Sequence, residues 1–320
     1  MFGRRPDGKR LKERDFVMRM IPILMKNRTE ATNFFLHTQQ CKSIDDFIAV
    51  KKKEGKDYTY RDIAVAFFVR IFAEHPKFNR FYIKDRLYQR NHIDFSMMVH
   101  KSLKKGDKEV CVKVRFSGLE TLSEIKDKLD GAIIKAINTE DPFGKSMERI
   151  PTFMVRWITR LMRLFDRWGM LSDKFLFENS PFHSSIFFAD LKSIHVNYVY
   201  HHLTNFGNCG FFATMGKEHM AAIYDEKDGT IKAGNIFELG ISMDERFVDG
   251  LYYRNMVKGA KRIMDNPYEL EEPARIPKDE IPTRKKRKHN DQTGKVFDRG
   301  RGDNLHVKKS RKKRNALQEE

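Results

Sequence analysis

The sequence predicts a mixed α/β fold of the α+β kind, built around a mixed β-sheet. Helical and strand-like patterns follow one another without the strict alternation of a doubly wound sheet. Hydrophobic residues make up 40% of the 320 residues and include 26 phenylalanines, so the chain has enough apolar surface for a large core. No internal repeat is visible that would indicate a solenoid or a propeller.

Helices are predicted where apolar residues recur at helical spacing and where suitable residues begin or end the run. Ser43 is the predicted N-cap of one helix, and Thr59 or Tyr60 precedes the next. Pro76 ends that second helix because proline cannot continue it. The predicted helices cover residues 14–28 (interrupted by Pro22), 44–54, 61–75, 121–137, 150–171 and 249–265.

Strands are predicted where β-branched and aromatic residues cluster between turn residues. The charged residues 84–86 are the expected turn of one hairpin, and residues 104–107 are the expected turn of another. The predicted strands cover residues 31–40, 78–83, 87–91, 92–100 and 109–117, followed by a string of strands between 185 and 243.

The predicted helix 150–171 carries a basic stripe and an apolar side. Both tryptophans of the chain lie on it. We interpret it as a core or subunit-contact helix whose arginines reach solvent, and a helix lying on a membrane surface is the alternative. The stripe consists of Arg156, Arg160, Arg163 and Arg167, and the opposite side of Phe153, Trp157, Ile158, Leu161, Leu164, Phe165 and Trp168.

Positive charge is concentrated at the C-terminal end. The chain has a formal net charge of +18, and residues 275–320 hold 16 basic and 7 acidic residues. Because this stretch has few apolar residues, we predict a disordered basic tail over 273–320. Such a tail attracts nucleic acid or an anionic surface through its charge, or it serves only to keep the chain in solution.

Several classes of site and location are not expected. No apolar run is long enough for a transmembrane segment, and the N-terminus does not resemble a secretory signal. Cys41, Cys111 and Cys209 are odd in number and widely spaced, which favours reduced thiols and a cytoplasmic protein over a disulfide framework or a zinc site. No metal site is predicted, and no glycine-rich phosphate loop is present.

One short motif indicates a family. Residues 244–250 read Asp-Glu-Arg-Phe-Val-Asp-Gly, after a predicted strand and at the start of a predicted helix. Other stretches agree with the same family in order: residues 19–35, 58–81, 119–135 and 181–217. Together they resemble the catalytic domain of the dihydrolipoyl acyltransferases of 2-oxo acid dehydrogenase complexes, in the chloramphenicol acetyltransferase-like superfamily. The resemblance covers about residues 12–272.

This resemblance implies a fold, a cofactor and a partner. The fold is a two-layer sandwich with a mixed β-sheet, and the domain spans residues 1–272, with an amphipathic helical insertion at about 145–178. The implied assembly is a homotrimer with the active site between subunits. Coenzyme A, as acyl-CoA, is the implied substrate. The acceptor is a small molecule or a lipoyl group from another chain, since this chain has no lipoyl module.

The resemblance also implies roles for residues of the motif. The family has a histidine as general base where this sequence has Glu245. A glutamate is a poor base for a thiol unless burial raises its pKa. Asp249 matches the motif aspartate that maintains the site's geometry through an ion pair, with Arg28, or else Arg19, as its partner. Gly250 would permit close packing at the strand-to-helix turn.

Further candidates precede the motif. Ser184 or Ser185 is the candidate for the hydroxyl that binds the tetrahedral oxyanion, and His183 lies beside them. His201 and His202 are alternative bases. Each histidine alone is more typical of a structural or solvent-facing residue.

Three functions therefore stay open. The first is a coenzyme A-dependent acyltransferase with an atypical active site, which we favour. The second is a catalytically inactive trimeric scaffold of the same fold, since fold does not determine function. The third is a polyanion-binding protein that acts through its basic tail, with the folded part bringing several tails together.

Overall fold

The computed structural model describes residues 5–12, 15–100, 109–138, 150–225 and 229–277. All of them belong to the first of two units into which the chain divides, residues Met1–Pro282. The basic clusters of the predicted tail and the predicted turn at residues 104–107 lie outside the described residues.

The described residues contain ten strands and seven α-helices, numbered in chain order. The strands are β1 (Gly8–Arg10), β2 (Thr32–Gln40), β3 (Arg80–Ile83), β4 (Arg86–Arg90), β5 (Ile93–His100), β6 (Glu109–Phe116), β7 (Ile186–Asp190), β8 (Phe211–Met215), β9 (His219–Asp225) and β10 (Thr230–Asp244). The helices are α1 (Phe16–Leu24), α2 (Lys42–Lys53), α3 (Tyr60–Glu74), α4 (Leu122–Asn138), α5 (Thr152–Trp168), α6 (Asp173–Asn179) and α7 (Gly250–Asp265).

Two sheets are formed. The larger has seven strands in the order β2–β10–β8–β7–β5–β6, with β9 paired to the first half of β10. Strand β7 runs parallel to β5 and to β8, and the other pairs are antiparallel, so the sheet is mixed. The smaller sheet is antiparallel, with the order β1–β4–β3.

One face of the large sheet carries the core. Alternate residues of the central strands point to this face because side chains alternate along a strand, as Phe95, Ala213 and Leu239 do. Helix α3 packs over them and is buried along almost its whole length, with α4 and α7 beside it. This sheet with a helical layer is the two-layer α/β arrangement that the sequence predicts.

The other face of the large sheet is crossed by irregular chain. The Thr214 hydroxyl donates to the Val199 carbonyl at 2.6 Å and accepts from its amide at 3.2 Å. Gly240 makes this approach possible, since a Cβ there would lie 2.7 Å from the Val199 carbonyl oxygen. Within the predicted string of strands between 185 and 243, the structure forms β7, β8, β9 and β10, and residues 195–210 belong to the irregular connection between β7 and β8.

Other predicted boundaries hold or shift for local reasons. Thr59 is the N-cap of α3, and its side chain forms a capping box with Asp62. Ser43 does not cap α2, which begins after Cys41. The Ser43 hydroxyl instead donates to the Met264 carbonyl at 3.0 Å. The predicted helix 150–171 ends at Gly169, whose left-handed backbone (φ 69°) terminates α5 before α6 begins.

Candidate active site

Glu245 lies directly after β10, in a short 3₁₀ turn over Glu245–Phe247. Its amide donates to the Ala31 carbonyl at 3.0 Å, which fixes the turn to the start of β2. Its half-buried carboxylate accepts a long hydrogen bond of 3.4 Å from the Asn33 side chain. The carboxylate is therefore positioned but not neutralised by a cation within the described residues.

The two residues next to Glu245 in the chain, Asp244 and Arg246, belong to a buried charge cluster. Arg246 donates from Nε (2.8 Å) and Nη2 (2.7 Å) to the two carboxylate oxygens of Asp244, the residue that ends β10. The Nε of Arg28 lies 3.9 Å from the same carboxylate, and all three side chains are buried. Two guanidinium groups thus share one carboxylate.

The positive charge of this cluster is only partly compensated. Burial lowers the pKa of Arg28, and the nearby charge of Arg246 lowers it further, although Asp244 opposes both effects. Arg28 also donates to the carbonyls of Thr204 and Gly207. The arginine is therefore anchored by carbonyl oxygens and remains a source of positive potential.

A cavity of about 320 Å³ opens beside the cluster. It lies between the 26–28 segment, the β3–β4 turn, the C-terminal end of α5 and residues 205–207. Among the described residues that line it, Asp166 is the single acidic one, and the cations are Lys26, Arg28, Lys84, Arg163, Arg167 and Arg246. Such a concentration of ammonium and guanidinium groups favours an anionic ligand.

The ion pair predicted for Asp249 is not formed among the described residues. Asp249 is exposed, and its carboxylate accepts from the Tyr252 amide at 2.8 Å as the N-cap of α7. Arg28 pairs with Asp244 instead, and Arg19 lies exposed on α1. Beyond its own helix and chain neighbours, no atom of the described residues lies within 4 Å of where a Cβ at Gly250 would be, so the packing role predicted for this glycine stays a prediction.

The two candidate oxyanion serines are buried within the chain. The Ser184 hydroxyl donates to the Pro181 carbonyl at 2.9 Å. The Ser185 hydroxyl donates to the Asn79 side chain at 2.6 Å and accepts from the Asp94 amide at 3.1 Å. Both hydroxyls therefore connect the start of β7 to neighbouring segments, and their predicted catalytic role stays a prediction.

His183 belongs to a buried polar network rather than to the 244–246 turn. Its Nδ1 lies 2.6 Å from the Ser180 hydroxyl, and its Nε2 lies 3.4 Å from the Asp166 carboxylate. Burial lowers the pKa of His183, although the hydrogen bond to Asp166 and the charge of that carboxylate oppose this. Burial opposes ionisation of Asp166, but the hydrogen bond from His183 and the charge of Arg5 lower its pKa to about 2.

His201 and His202 lie on the irregular chain that crosses the sheet. The His201 ring stacks on Phe212 at 3.9 Å between centroids, and His202 stacks on His201. In the described part of the chain, neither histidine forms a hydrogen bond or an ion pair with Glu245. The structure thus does not bring these alternative bases to the carboxylate that they would replace.

Sequence reasoning missed the central pair of this site. Asp244 and Arg246 flank Glu245. An aspartate and an arginine two residues apart at the end of a predicted strand are the sequence pattern that could have indicated this ion pair. The cavity lining was not predictable, because it combines residues separated by up to 220 positions.

Among the described residues, no group of three or more His, Cys, Asp or Glu is arranged to hold a metal ion. No described helix has the length and apolar character needed to cross a membrane.

No family model matches the sequence, and no curated protein matches it by sequence. Solved structures do match. A probable dihydrolipoamide acetyltransferase from Listeria monocytogenes is 14% identical with a TM-score of 0.48, over 80% of this chain and 94% of that chain. The dihydrolipoamide acetyltransferase of Azotobacter vinelandii is 12% identical with a TM-score of 0.45, over 81% and 93% of the two chains. A chloramphenicol acetyltransferase is 12% identical with a TM-score of 0.46, over 80% and 99%. These are the kinds of protein that the 244–250 motif resembles.

Proposed function

We propose that the chain is a coenzyme A-dependent acyltransferase, which moves an acyl group from a thioester to a thiol or hydroxyl acceptor. The observation that carries this proposal is the cationic cavity beside the turn that holds Glu245. The cavity supplies a site for the phosphate-bearing end of acyl-CoA, and Arg246 in its wall follows Glu245 directly in the chain.

The charges of the cavity suit phosphate groups. Six cations of the described chain line it, and the one carboxylate among those lining residues, Asp166, is already held by Arg5 at 2.6 Å. Guanidinium groups bind phosphate oxygens through paired hydrogen bonds, and lysines add positive potential. Arg163 and Arg167 are exposed on α5 and able to reach a ligand, while Arg28 and Arg246 are fixed in the wall.

Glu245 is the proposed base. In the proposed step its carboxylate takes the proton of the acceptor thiol or hydroxyl as the acceptor sulfur or oxygen attacks the thioester carbonyl. The acyl–sulfur bond of acyl-CoA then breaks, the new acyl bond remains, and the coenzyme leaves as a free thiol after regaining a proton. The hydrogen bond from Asn33 orients the carboxylate for this role.

A second copy of the chain is part of the proposal. Phe34 and Leu36 of β2 are exposed close to the end of β10, and Tyr200 contacts Phe34 at 5.6 Å between ring centroids. Exposed apolar residues beside a candidate site favour a contact between subunits. A homotrimer, as the family resemblance implies, would cover them and complete the site.

One observation favours a second candidate function. Ser184 and Ser185 are fully buried and satisfied by partners within the chain. A chain without an available oxyanion hydroxyl fits an inactive scaffold of the same fold. Binding through the basic tail stays a prediction, because that segment lies outside the described residues.

The test is acyl transfer from acetyl-CoA to a panel of thiols, including dihydrolipoamide, followed by release of free coenzyme A. We expect Glu245→Gln to reduce turnover by about a hundredfold or more, as for loss of a general base, with little change in acetyl-CoA affinity. Glu178→Gln, on the exposed surface of α6, is the control and should keep full turnover. Full activity of Glu245→Gln would exclude Glu245 as the base, and no turnover of the native chain with any acceptor would favour the scaffold.

A further inference from the structure

Helix α5 exposes an apolar face that the rest of the described chain does not cover. Seven large side chains on it are between 39% and 63% exposed. A contiguous apolar patch of this kind on a folded protein marks a binding surface. The seven, which we call the apolar face of α5, are Phe153, Met154, Trp157, Leu161, Leu164, Phe165 and Trp168.

The helix has three distinct sides. Val155, Ile158 and Met162 are half-buried on the side facing the protein, where Asp166 is buried. The apolar face lies opposite, because its residues recur at helical spacing around Trp157 and Leu161. The four arginines of the basic stripe form the third side, along one edge of the apolar face.

The arginines at the start of the stripe are available for binding. Arg156 and Arg160 are exposed, and no carboxylate among the described residues forms an ion pair with either. Arg160 lies over the ring of Trp157 at 5.6 Å, so positive charge stands directly beside the apolar face. The partner must therefore combine an apolar interior with a negatively charged surface.

We propose that α5 docks the protein on an anionic phospholipid bilayer, with its apolar face among the acyl chains and with Arg156 and Arg160 at the headgroup phosphates. A helix with this division of side chains and with aromatic residues at its apolar side lies in the plane of the interface. Four arginines in 17 residues exclude a spanning orientation. The occupant is an anionic bilayer because exposed arginines stand directly beside the apolar face, which matches negatively charged headgroups above an apolar interior.

This inference is independent of the proposed acyl transfer. Arg156 and Arg160 do not line the cationic cavity, and neither does any residue of the apolar face. Substitutions at Arg156, at Arg160 and on the apolar face therefore separate membrane docking from coenzyme A binding.

The experiment uses the full chain and its own fluorescence. Both tryptophans of the sequence, Trp157 and Trp168, lie on the apolar face, so their emission reports on this helix alone. The probes are vesicles of phosphatidylcholine, with and without phosphatidylglycerol, carrying brominated acyl chains as quenchers. We expect a blue shift and quenching on the vesicles that contain phosphatidylglycerol, and much weaker effects on phosphatidylcholine alone.

Two variants test the two components of the surface. Arg156→Glu with Arg160→Glu should weaken binding to the anionic vesicles on the order of a hundredfold, because each basic residue contributes near a charged bilayer. Leu161→Gln with Leu164→Gln should weaken it about tenfold or more, through loss of buried apolar area. Met220→Gln with Ile231→Gln, exposed apolar residues of the β9–β10 hairpin, is the matched control and should bind normally.

Three results would overturn the proposal. The first is binding to anionic vesicles without bromine quenching, which would mean that the basic tail binds while α5 stays in water. The second is a tryptophan emission that is already blue-shifted before vesicles are added and is not quenched when the brominated vesicles are added. That result would mean that a second copy or another segment already covers the face. The third is equal binding by the Leu161→Gln, Leu164→Gln variant and the native chain.

Discussion

The Nε of Arg28 and the carboxylate of Asp244 lie 3.9 Å apart in the interior, where Arg246 already holds both oxygens of that carboxylate. The pair joins the loop before β2 to the end of β10, and the turn that follows carries Glu245. The site's geometry thus depends on the first residue of the Asp-Glu-Arg-Phe-Val-Asp-Gly motif rather than on its second aspartate. This arrangement leads to the first prediction.

Asp244→Asn should be strongly destabilising. It removes the only carboxylate that Arg28 and Arg246 share within the described residues, which leaves two buried guanidinium groups without a counter-charge. The expected loss is about 3–5 kcal/mol of unfolding free energy, measured by urea denaturation. Asp249→Asn is the matched control and should change stability by less than about 0.5 kcal/mol, because asparagine caps a helix as well as aspartate does. Equal effects of the two substitutions would contradict the buried-pair interpretation.

Ser185→Ala separates a structural role from a catalytic one. The Ser185 hydroxyl satisfies the Asp94 amide and the Asn79 side chain, both in the interior. We expect a loss of about 1–3 kcal/mol in stability, with turnover unchanged at temperatures where the variant is folded. A normal unfolding free energy combined with a large loss of turnover would instead assign the oxyanion to this serine.

Lys113 gives stability a pH dependence above neutrality. Its Nζ donates to the carbonyls of Leu176, Ser180 and His183, and burial, together with the nearby charges of Arg90 and Arg115, lowers its pKa from 10.5 to about 8. Between those two values the unfolded chain binds more protons than the folded chain, so this group makes stability rise with pH over that window.

Lys113→Met should remove that rise. The measurement is the unfolding free energy of the native chain, of Lys113→Met and of Lys135→Met between about pH 7 and 10, because the difference between variants isolates one group. Lys135 is exposed on α4 and serves as the control. A native chain and a Lys113→Met variant with the same slope would show that Lys113 titrates normally.

Arg163 and Arg167 should govern the affinity for coenzyme A. Both line the cavity and are exposed, so their replacement by glutamate reverses the local charge with little effect on the fold. We expect the double variant to bind acetyl-CoA at least about a hundredfold more weakly, and the affinity of the native chain to fall with added salt. Arg156→Glu with Arg160→Glu, on the same helix but outside the cavity, should bind acetyl-CoA normally. Similar losses in both double variants would indicate a general charge effect.

The sequence indicates the elements better than it indicates the site. Helix α3 and the capping role of Thr59 could be predicted because their signals are local: a long apolar run, a cap residue and a terminating proline. The strand pattern of β10 and the helix that follows Asp249 were predictable for the same reason. The position of residues 195–210 on the sheet depends instead on long-range contacts, such as that between Thr214 and Val199.

The charge pairing of the site is a long-range property. Arg28 was recognised as a partner for a motif aspartate, but the choice between Asp244 and Asp249 depends on where β10 ends and α7 begins. The carboxylate of Asp244, at the end of β10, is buried, whereas that of Asp249, five residues later, caps helix α7. Helix α5 forms the cavity together with the β3–β4 turn and the 26–28 segment. Its position against those distant segments cannot be predicted from local sequence patterns.

Calorimetric titration of acetyl-CoA into the chain of residues 1–320 tests the central proposal most directly. We predict saturable binding in the micromolar range, lost in the Arg163→Glu, Arg167→Glu variant and retained in Glu245→Gln. Binding of that kind would mean that the cationic cavity receives the acyl donor. A folded chain that releases no heat with millimolar acetyl-CoA would contradict the proposal and leave the scaffold function.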